Sequence, residues 1–172
     1  MRLKCILIAF AASVVLSAQA TAGIDIGPAV GTNIPDGFVA RDATGAPVGL
    51  ADIVGDKGVV LAFVRSASWC PYCQKQMIDL KAAAAPLADR GFRLAVLSYD
   101  SPAVLAAFAQ KQGIGYTLLS DEKSAMIDAF GLRDPQYPPT SKAHGVPKPA
   151  IFVIDVTGVV RGKLAEDDYK VR

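Results

Sequence analysis

The sequence of 172 residues is long enough for one domain with a hydrophobic core, and no internal repeat indicates a second domain. Its 18 Lys and Arg residues nearly balance its 16 Asp and Glu residues, so the formal net charge at neutral pH is only +2. This balance, without a basic stripe, excludes a role in binding nucleic acid.

Residues 1–22 have the pattern of a cleaved secretory signal. Arg2 and Lys4 precede an apolar stretch, and small residues around Ala20 provide the cleavage site. The apolar stretch is too short to span a bilayer comfortably, so no stable membrane insertion is expected after cleavage. Cleavage also removes Cys5 and leaves a mature chain with two cysteines and no net charge. We therefore expect a periplasmic or secreted protein.

The mature chain is predicted to begin with an extended lead-in over residues 23–36 and to continue as one domain over residues 37–172. The apolar patterns first predict a hairpin of strands 38–40 and 48–50, a buried strand 59–64, and a helix from 70 to about 91 that is kinked at Pro86. They then predict a strand 92–98, a helix 101–112, a strand 116–119 and a helix from about 120 to 131. An irregular loop 132–149 and a hairpin of strands 150–155 and 159–164 complete the predicted order. This order predicts an α/β fold with a mixed central β-sheet flanked by helices. The polar end of the chain is too short to form the helix that would normally cover the last hairpin, so we expect either that this face is covered in another way or that the chain is a shortened version of its gene product.

Cys70 and Cys73 lie at the junction between strand 59–64 and the following helix, with Pro71 in the first helical turn. The unpaired N–H groups and the dipole of a helix N-terminus favour an anion, so we expect the Cys70 thiol to have a lower pKa than a free cysteine. A disulfide that closes so short a loop constrains the unfolded chain very little, so the pair is not a structural crosslink. The pattern therefore predicts a redox dithiol, in which Cys70 attacks as a thiolate and Cys73 resolves the product.

The motif Trp69-Cys70-Pro71-Tyr72-Cys73, followed by the strand Pro149-Ala150-Ile151-Phe152-Val153-Ile154-Asp155, resembles the thioredoxin-like superfamily. The N-terminal hairpin, the segment 118–121 and the segment 130–132 are most similar to its AhpC/TSA branch of redoxins. The resemblance covers residues 30–165 and implies a thioredoxin-like fold with an N-terminal β-hairpin extension. It also implies a cis-proline beside the active site, which would be Pro149, preceded by Lys148.

Typical peroxiredoxins of this branch carry a proline seven residues, and a threonine or serine three residues, before the peroxidatic cysteine. Counted from Cys70, these positions hold Phe63 and Ala67, although Ser66 and Ser68 lie nearby. The peroxide-activating arginine of the family falls at a proline, residue 149. These departures favour disulfide chemistry over peroxide chemistry.

Other cations and acids near the motif are few in the sequence. Arg65 is the nearest cation to Cys70, although a solvated surface position is the simpler expectation for it. The strand 59–64 lacks the buried carboxylate that thioredoxins use to move a proton.

The first expectation is an exported thiol–disulfide oxidoreductase that exchanges disulfides with partner proteins through Cys70 and Cys73. The first alternative is a thiol peroxidase, with Cys70 peroxidatic and Cys73 resolving. A minor alternative is a copper-binding module, in which His144 joins the two cysteines as a third ligand. No cofactor is predicted. The expected partners are protein thiols and disulfides or a small thiol donor, with hydroperoxides under the alternative. Six residues are candidates for supporting the two cysteines: Arg65, Trp69, Pro71, Tyr72, Lys148 and Pro149.

Overall fold

The structure is a computed structural model that describes residues 24–170; the predicted signal at residues 1–22 lies outside them. The strands are β1 (Val39–Arg41), β2 (Pro47–Gly49), β3 (Gly58–Phe63), β4 (Phe92–Ser98), β5 (Thr117–Ser120), β6 (Ala150–Asp155) and β7 (Val160–Ala165). The helices are α1 (Leu50–Ile53), α2 (Pro71–Asp79), α3 (Lys81–Ala88), α4 (Pro102–Gln112) and α5 (Ala125–Ala129). In the described part of the chain, no helix is long and apolar enough to cross a membrane.

The strands form one mixed sheet in the order β2-β1-β5-β4-β3-β6-β7. β3, β4 and β5 are parallel, whereas β6 pairs antiparallel with β3, and β7 antiparallel with β6. The hairpin of β1 and β2 extends the sheet through an antiparallel pairing of β1 with β5. The thioredoxin-like fold with an N-terminal hairpin extension is therefore confirmed.

β3 lies in the middle of the sheet and is covered on both faces, which explains its almost unbroken apolar sequence. Leu61 and Phe63 point into one core, where the Phe63 ring packs against those of Phe130 and Phe152. Ala62 belongs to a second core on the opposite face, which also contains both cysteines of the motif. The strand thus leads directly from the centre of the molecule to Cys70.

The N-terminal segment covers part of the last hairpin, which the chain's end was predicted to be too short to do. Backbone hydrogen bonds join Gly31 and Thr32 to Val160, and Ile34 to Gly158. Ile34 is buried in the same core as Val160. The lead-in therefore covers the start of β7, whereas Leu164 near the end of that strand is exposed.

Two helices differ from their predicted bounds. The long helix after Cys70 is interrupted at Leu80 and not at Pro86, which lies inside α3. The ring of Pro86 opposes the carbonyl of Ala82, four residues earlier and inside α3, so the break at Leu80 lies before the turn that the proline disturbs. α5 begins only at Ala125, because the Asp121 carboxylate accepts hydrogen bonds from the first backbone N–H groups of that helix.

Candidate active site

Cys70 and Cys73 lie where β3 feeds α2, as the sequence predicts. Cys70 is the N-cap of α2, and the backbone N–H of Cys73 donates a hydrogen bond to its Sγ atom at 3.3 Å. Pro71 occupies the first helical position, where a missing N–H costs nothing. The two cysteines form a disulfide with their Cα atoms 5.2 Å apart, and both are buried. The site is therefore described in its oxidised form.

A buried carboxylate fixes the loop that precedes Cys70. Asp100 follows β4, and its Oδ2 atom accepts hydrogen bonds from the Ala67 backbone N–H at 2.6 Å and from the Ser98 hydroxyl at 2.9 Å. Its Oδ1 atom accepts from the Ser66 hydroxyl at 2.7 Å. Asp100 is not among the predicted site residues, although the order of the strands could have indicated it. Parallel strands end at the same edge of a sheet, so a residue just after β4 lies beside the loop after β3.

Ser66 relays this anchoring to the motif. Its Oγ atom accepts hydrogen bonds from the backbone N–H groups of Ser68 at 2.9 Å and of Trp69 at 3.3 Å. The side-chain amide of Gln74, on α2, donates to the carbonyls of Ala67 and Ser68, both at 2.9 Å. Because the Ser66 hydroxyl donates to the carboxylate and also accepts two backbone N–H groups, it serves to hold the loop.

Two aromatic side chains of the motif flank the disulfide and remain partly exposed. Trp69 is 42% exposed, and its indole N–H donates to the Tyr99 hydroxyl at 2.9 Å, which in turn donates to the Lys142 carbonyl at 3.3 Å. Tyr72 is 41% exposed and packs edge-to-face on Tyr169 with ring centroids 6.0 Å apart. Both are therefore available to touch a partner molecule next to the sulfur atoms.

Arg65 is buried, with 3% of its surface exposed, so its expected position on the solvated surface is wrong. Its guanidinium carbon lies 4.1 Å from the ring centroid of Tyr169, 5.0 Å from that of Trp69 and 5.1 Å from that of Tyr137. One terminal nitrogen donates to the Tyr137 hydroxyl. The sequence alone could not reveal this burial, because two of the three rings come from distant parts of the chain.

Lys148 and Pro149 precede β6 and lie near the motif, because Ala150 pairs with Phe63 at the end of β3. Pro149 lines a shallow groove together with Gln76 of α2 and with Tyr169. No peptide bond within residues 24–170 is cis, so the predicted cis-proline at 149 is wrong. The backbone N–H of Lys148 donates to the Leu132 carbonyl at 2.7 Å, which ties the segment before β6 to the residues that follow α5.

His144 does not join the cysteines. Its Nδ1 atom donates to the Tyr137 carbonyl at 2.9 Å, and its Nε2 atom accepts from Arg133 at 3.1 Å. Both ring nitrogens are therefore engaged elsewhere. Among the described residues, no group of three or more His, Cys, Asp or Glu side chains is placed to hold a metal ion. The structure does not support the copper site predicted at Cys70, Cys73 and His144.

Most of the described chain, from before β1 into β7, matches a known protein family. The model of the AhpC/TSA family matches residues 30–163. The peroxiredoxin bcp1 of Schizosaccharomyces pombe is 30% identical over 136 residues, which cover 76% of this chain and 69% of that protein. The peroxiredoxin Bcp of Escherichia coli strain K12 is 29% identical over 133 residues, which cover 77% and 82%.

Among solved structures, the crystal structure of peroxidoxin BcpB from Mycobacterium tuberculosis matches with a TM-score of 0.69 and 26% identity, over 84% of this chain and 88% of the other. These relatives carry the names of peroxiredoxins. The first expectation from the sequence, an exported thiol–disulfide oxidoreductase, is therefore wrong, and the comparisons favour the alternative that was placed second.

Proposed function

We propose that this chain, which belongs to the AhpC/TSA family and is an oxidoreductase of the thioredoxin-like peroxiredoxin type, is a thiol peroxidase that reduces hydroperoxides with Cys70. The observation that carries the proposal is the position of Cys70 as the cap of α2, bonded to Cys73 one turn further on. In this arrangement, Cys70 can serve as the peroxidatic thiol and Cys73 as the resolving thiol.

In the first step, the Cys70 thiolate attacks the outer oxygen of a hydroperoxide and the O–O bond breaks. Cys70 becomes a sulfenic acid, and the departing alkoxide or hydroxide takes up a proton and leaves as an alcohol or as water. The N-terminus of α2 favours the thiolate, because the Cys73 N–H already points at the Cys70 sulfur.

In the second step, the Cys73 thiol attacks the sulfur of the sulfenic acid, so that a disulfide forms and water leaves. The two Cα atoms are 5.2 Å apart in the disulfide, and both cysteines belong to the start of one helix. Resolution within a single turn therefore requires no second subunit. A dithiol reductant then returns the pair to the reduced form by thiol–disulfide exchange and is itself oxidised to a disulfide.

The proposal is tested by following peroxide consumption with dithiothreitol as the reductant. The wild-type protein is expected to turn over hydrogen peroxide and cumene hydroperoxide. Cys70→Ser is expected to lose this activity entirely, because it removes the nucleophile. Without dithiothreitol, the prereduced Cys73→Ser variant is expected to consume about one equivalent of peroxide and then stop, since its sulfenic acid has no resolving thiol.

Mass spectrometry after trapping with dimedone supplies the control for this comparison. The adduct is expected on Cys70 in the Cys73→Ser variant and absent from the Cys70→Ser variant. Equal peroxide consumption by the wild type and by Cys70→Ser would overturn the proposal.

We also propose that the protein acts outside the cytoplasm, on the basis of the signal-like sequence at residues 1–22. Expression of the full chain in a bacterial host, followed by mass spectrometry of the periplasmic fraction, is expected to give a mature N-terminus just after Ala20 or Ala22. An intact chain beginning at Met1 in the cytosol would contradict this localisation.

A further inference from the structure

Arg65 carries a positive charge in the interior beside the motif, and nothing in the proposed cycle has used it. Its guanidinium is surrounded by the rings of Trp69, Tyr137 and Tyr169. Its Nε atom is buried and has no hydrogen-bond partner. Buried polar atoms of this kind are rare and call for an explanation.

Within the described residues 24–170, Arg65 takes part in no ion pair; the ion pairs there are those of Lys75, Arg133, Arg161 and Lys163. The faces of aromatic rings stabilise a buried guanidinium only in part, whereas a buried charge normally needs an opposite charge. A negative charge is therefore expected near Arg65 in another state of the protein.

Reduction of the disulfide creates such a charge. In the oxidised form, Cys70 is neutral, but its thiolate is negative. Trp69 is the covalent neighbour of Cys70, and its ring centroid lies 5.0 Å from the Arg65 guanidinium carbon. The cation is thus held against the residue next to the reactive sulfur.

We propose that Arg65 is a positioning residue that stabilises the negative charge of Cys70 in the reduced protein. It would supply, from the loop after β3, the positive charge that the family pattern places at position 149, where this chain has Pro149. The inference rests on the proposed function only in that Cys70 is the nucleophile, and it requires no peroxide.

Other groups also contribute to the potential at Cys70. Asp100 opposes ionisation of Cys70, because it is a buried carboxylate bonded to the loop that precedes the cysteine. The titratable and charged groups on the elements packed around the motif are Tyr72, Lys75 and Asp79 on α2, Tyr99 and Asp100 after β4, Lys111 on α4, Tyr137 and Lys148 in the loop before β6, and Glu166 and Tyr169 after β7. Of the cations among them, Lys75 is paired with Asp79, Lys111 lines a groove with Ala67 and Ser68, and Lys148 is half-exposed.

The test is a thiolate titration in the Cys73→Ser background, which leaves Cys70 as the titrating thiol of the described chain. The rate of alkylation by iodoacetamide is measured as a function of pH. Arg65→Met keeps the aliphatic length and removes the charge, and it is expected to raise the midpoint by about one pH unit. A shift of that size corresponds to about 1.4 kcal/mol of charge interaction lost from the thiolate.

Two variants separate charge from packing. Arg65→Lys keeps the charge and is expected to stay within about 0.3 pH unit of the parent. Tyr137→Phe removes the hydrogen bond to Arg65 but keeps the ring, and its titration midpoint is also expected to stay within about 0.3 pH unit of the parent. If Arg65→Met does not fold, Arg65→Gln replaces it as the neutral variant.

An unchanged midpoint in the neutral variant would overturn the inference, as would an equal shift in Tyr137→Phe. Because the titration uses no peroxide, its result is independent of the peroxidase assay. A shifted midpoint together with a failed peroxidase assay would leave the role of Arg65 intact and reject the proposed function.

Discussion

Ser66 and Asp100 hold the reactive sulfur of Cys70 in place through a short chain of hydrogen bonds. The Asp100 carboxylate accepts hydrogen bonds from the Ser66 hydroxyl and from the backbone of the loop. The Ser66 hydroxyl in turn accepts one from the Trp69 backbone N–H, and Cys70 is the next residue. The sequence predicts the two cysteines, because their spacing and helix-start position are local. It does not predict the partnership of Ser66 with Asp100, because the two residues are 34 positions apart and meet only when β3 and β4 pair.

Ser66→Ala should therefore destabilise the protein although it removes a single oxygen atom. The substitution leaves the N–H groups of Ser68 and Trp69 without their acceptor and takes a donor from the buried Asp100. The expected loss of unfolding free energy is about 1–3 kcal/mol, measured by urea denaturation. The exposed Ser68 is the matched control, and Ser68→Ala should change stability by less than about 0.5 kcal/mol. Equal stability of the two variants would show that Ser66 does not anchor the loop.

Arg65 illustrates the same limit of sequence analysis. An arginine after a buried strand is ordinarily expected in water, and no local pattern indicates otherwise. Its burial depends on Tyr137, from the irregular loop, and on Tyr169, near the end of the chain. Neither contact can be derived from spacing within the motif.

The elements follow the sequence pattern most closely where hydrophobic periodicity decides their bounds. β4 and β6 have the predicted bounds, since both are buried strands between clear breaks. α5 is much shorter than predicted, because Ser124 adopts a left-handed conformation and Asp121 caps the turn that follows. The pKa of Asp121 is raised, because burial outweighs the hydrogen bonds that its carboxylate accepts.

The turn between β6 and β7 contains a carboxylate, that of Asp155, whose ionisation makes the stability of the protein depend on pH. Asp155 accepts hydrogen bonds from the Thr157 hydroxyl and backbone and from the Val159 backbone, and it pairs with Arg161. These interactions, with the Thr157 hydroxyl first among them, hold the pKa of Asp155 well below its usual range. The carboxylate therefore contributes stability above the unfolded-state value near 3.8, and this contribution is lost as the pH falls towards the lower folded value.

Urea denaturation of the wild type and of Asp155→Asn measures this contribution. The wild type should be the more stable above about pH 5, and the difference should narrow below about pH 4 as the carboxylate gains its proton. Asp56→Asn, at an exposed turn, should show no such dependence. A difference that stays constant from pH 7 to pH 3 would contradict the role given to the ionised carboxylate.

At the scale of the whole molecule, the alternation of strands and helices was sufficient to predict the mixed sheet and its N-terminal hairpin. The cover of the last hairpin was not predicted, since it comes from the lead-in, whose glycines and prolines carry no periodic pattern. The prediction of disulfide chemistry is wrong. It depends on the family residues that are missing at positions 63, 67 and 149, whereas the relatives across the whole domain carry the names of peroxiredoxins.

The single tryptophan of the chain, Trp69, lies next to Cys70 and offers the most direct test of peroxidase chemistry. The measurement is the stopped-flow fluorescence of the fully reduced protein, mixed in parallel with hydrogen peroxide and with a protein disulfide. The second-order rate constant for peroxide should exceed that of free cysteine at the same pH by at least about 10²-fold, the size expected of preorganised electrostatic stabilisation. It should also exceed the rate constant for the protein disulfide. A peroxide reaction no faster than that of free cysteine, alongside rapid oxidation by the protein disulfide, would contradict the account.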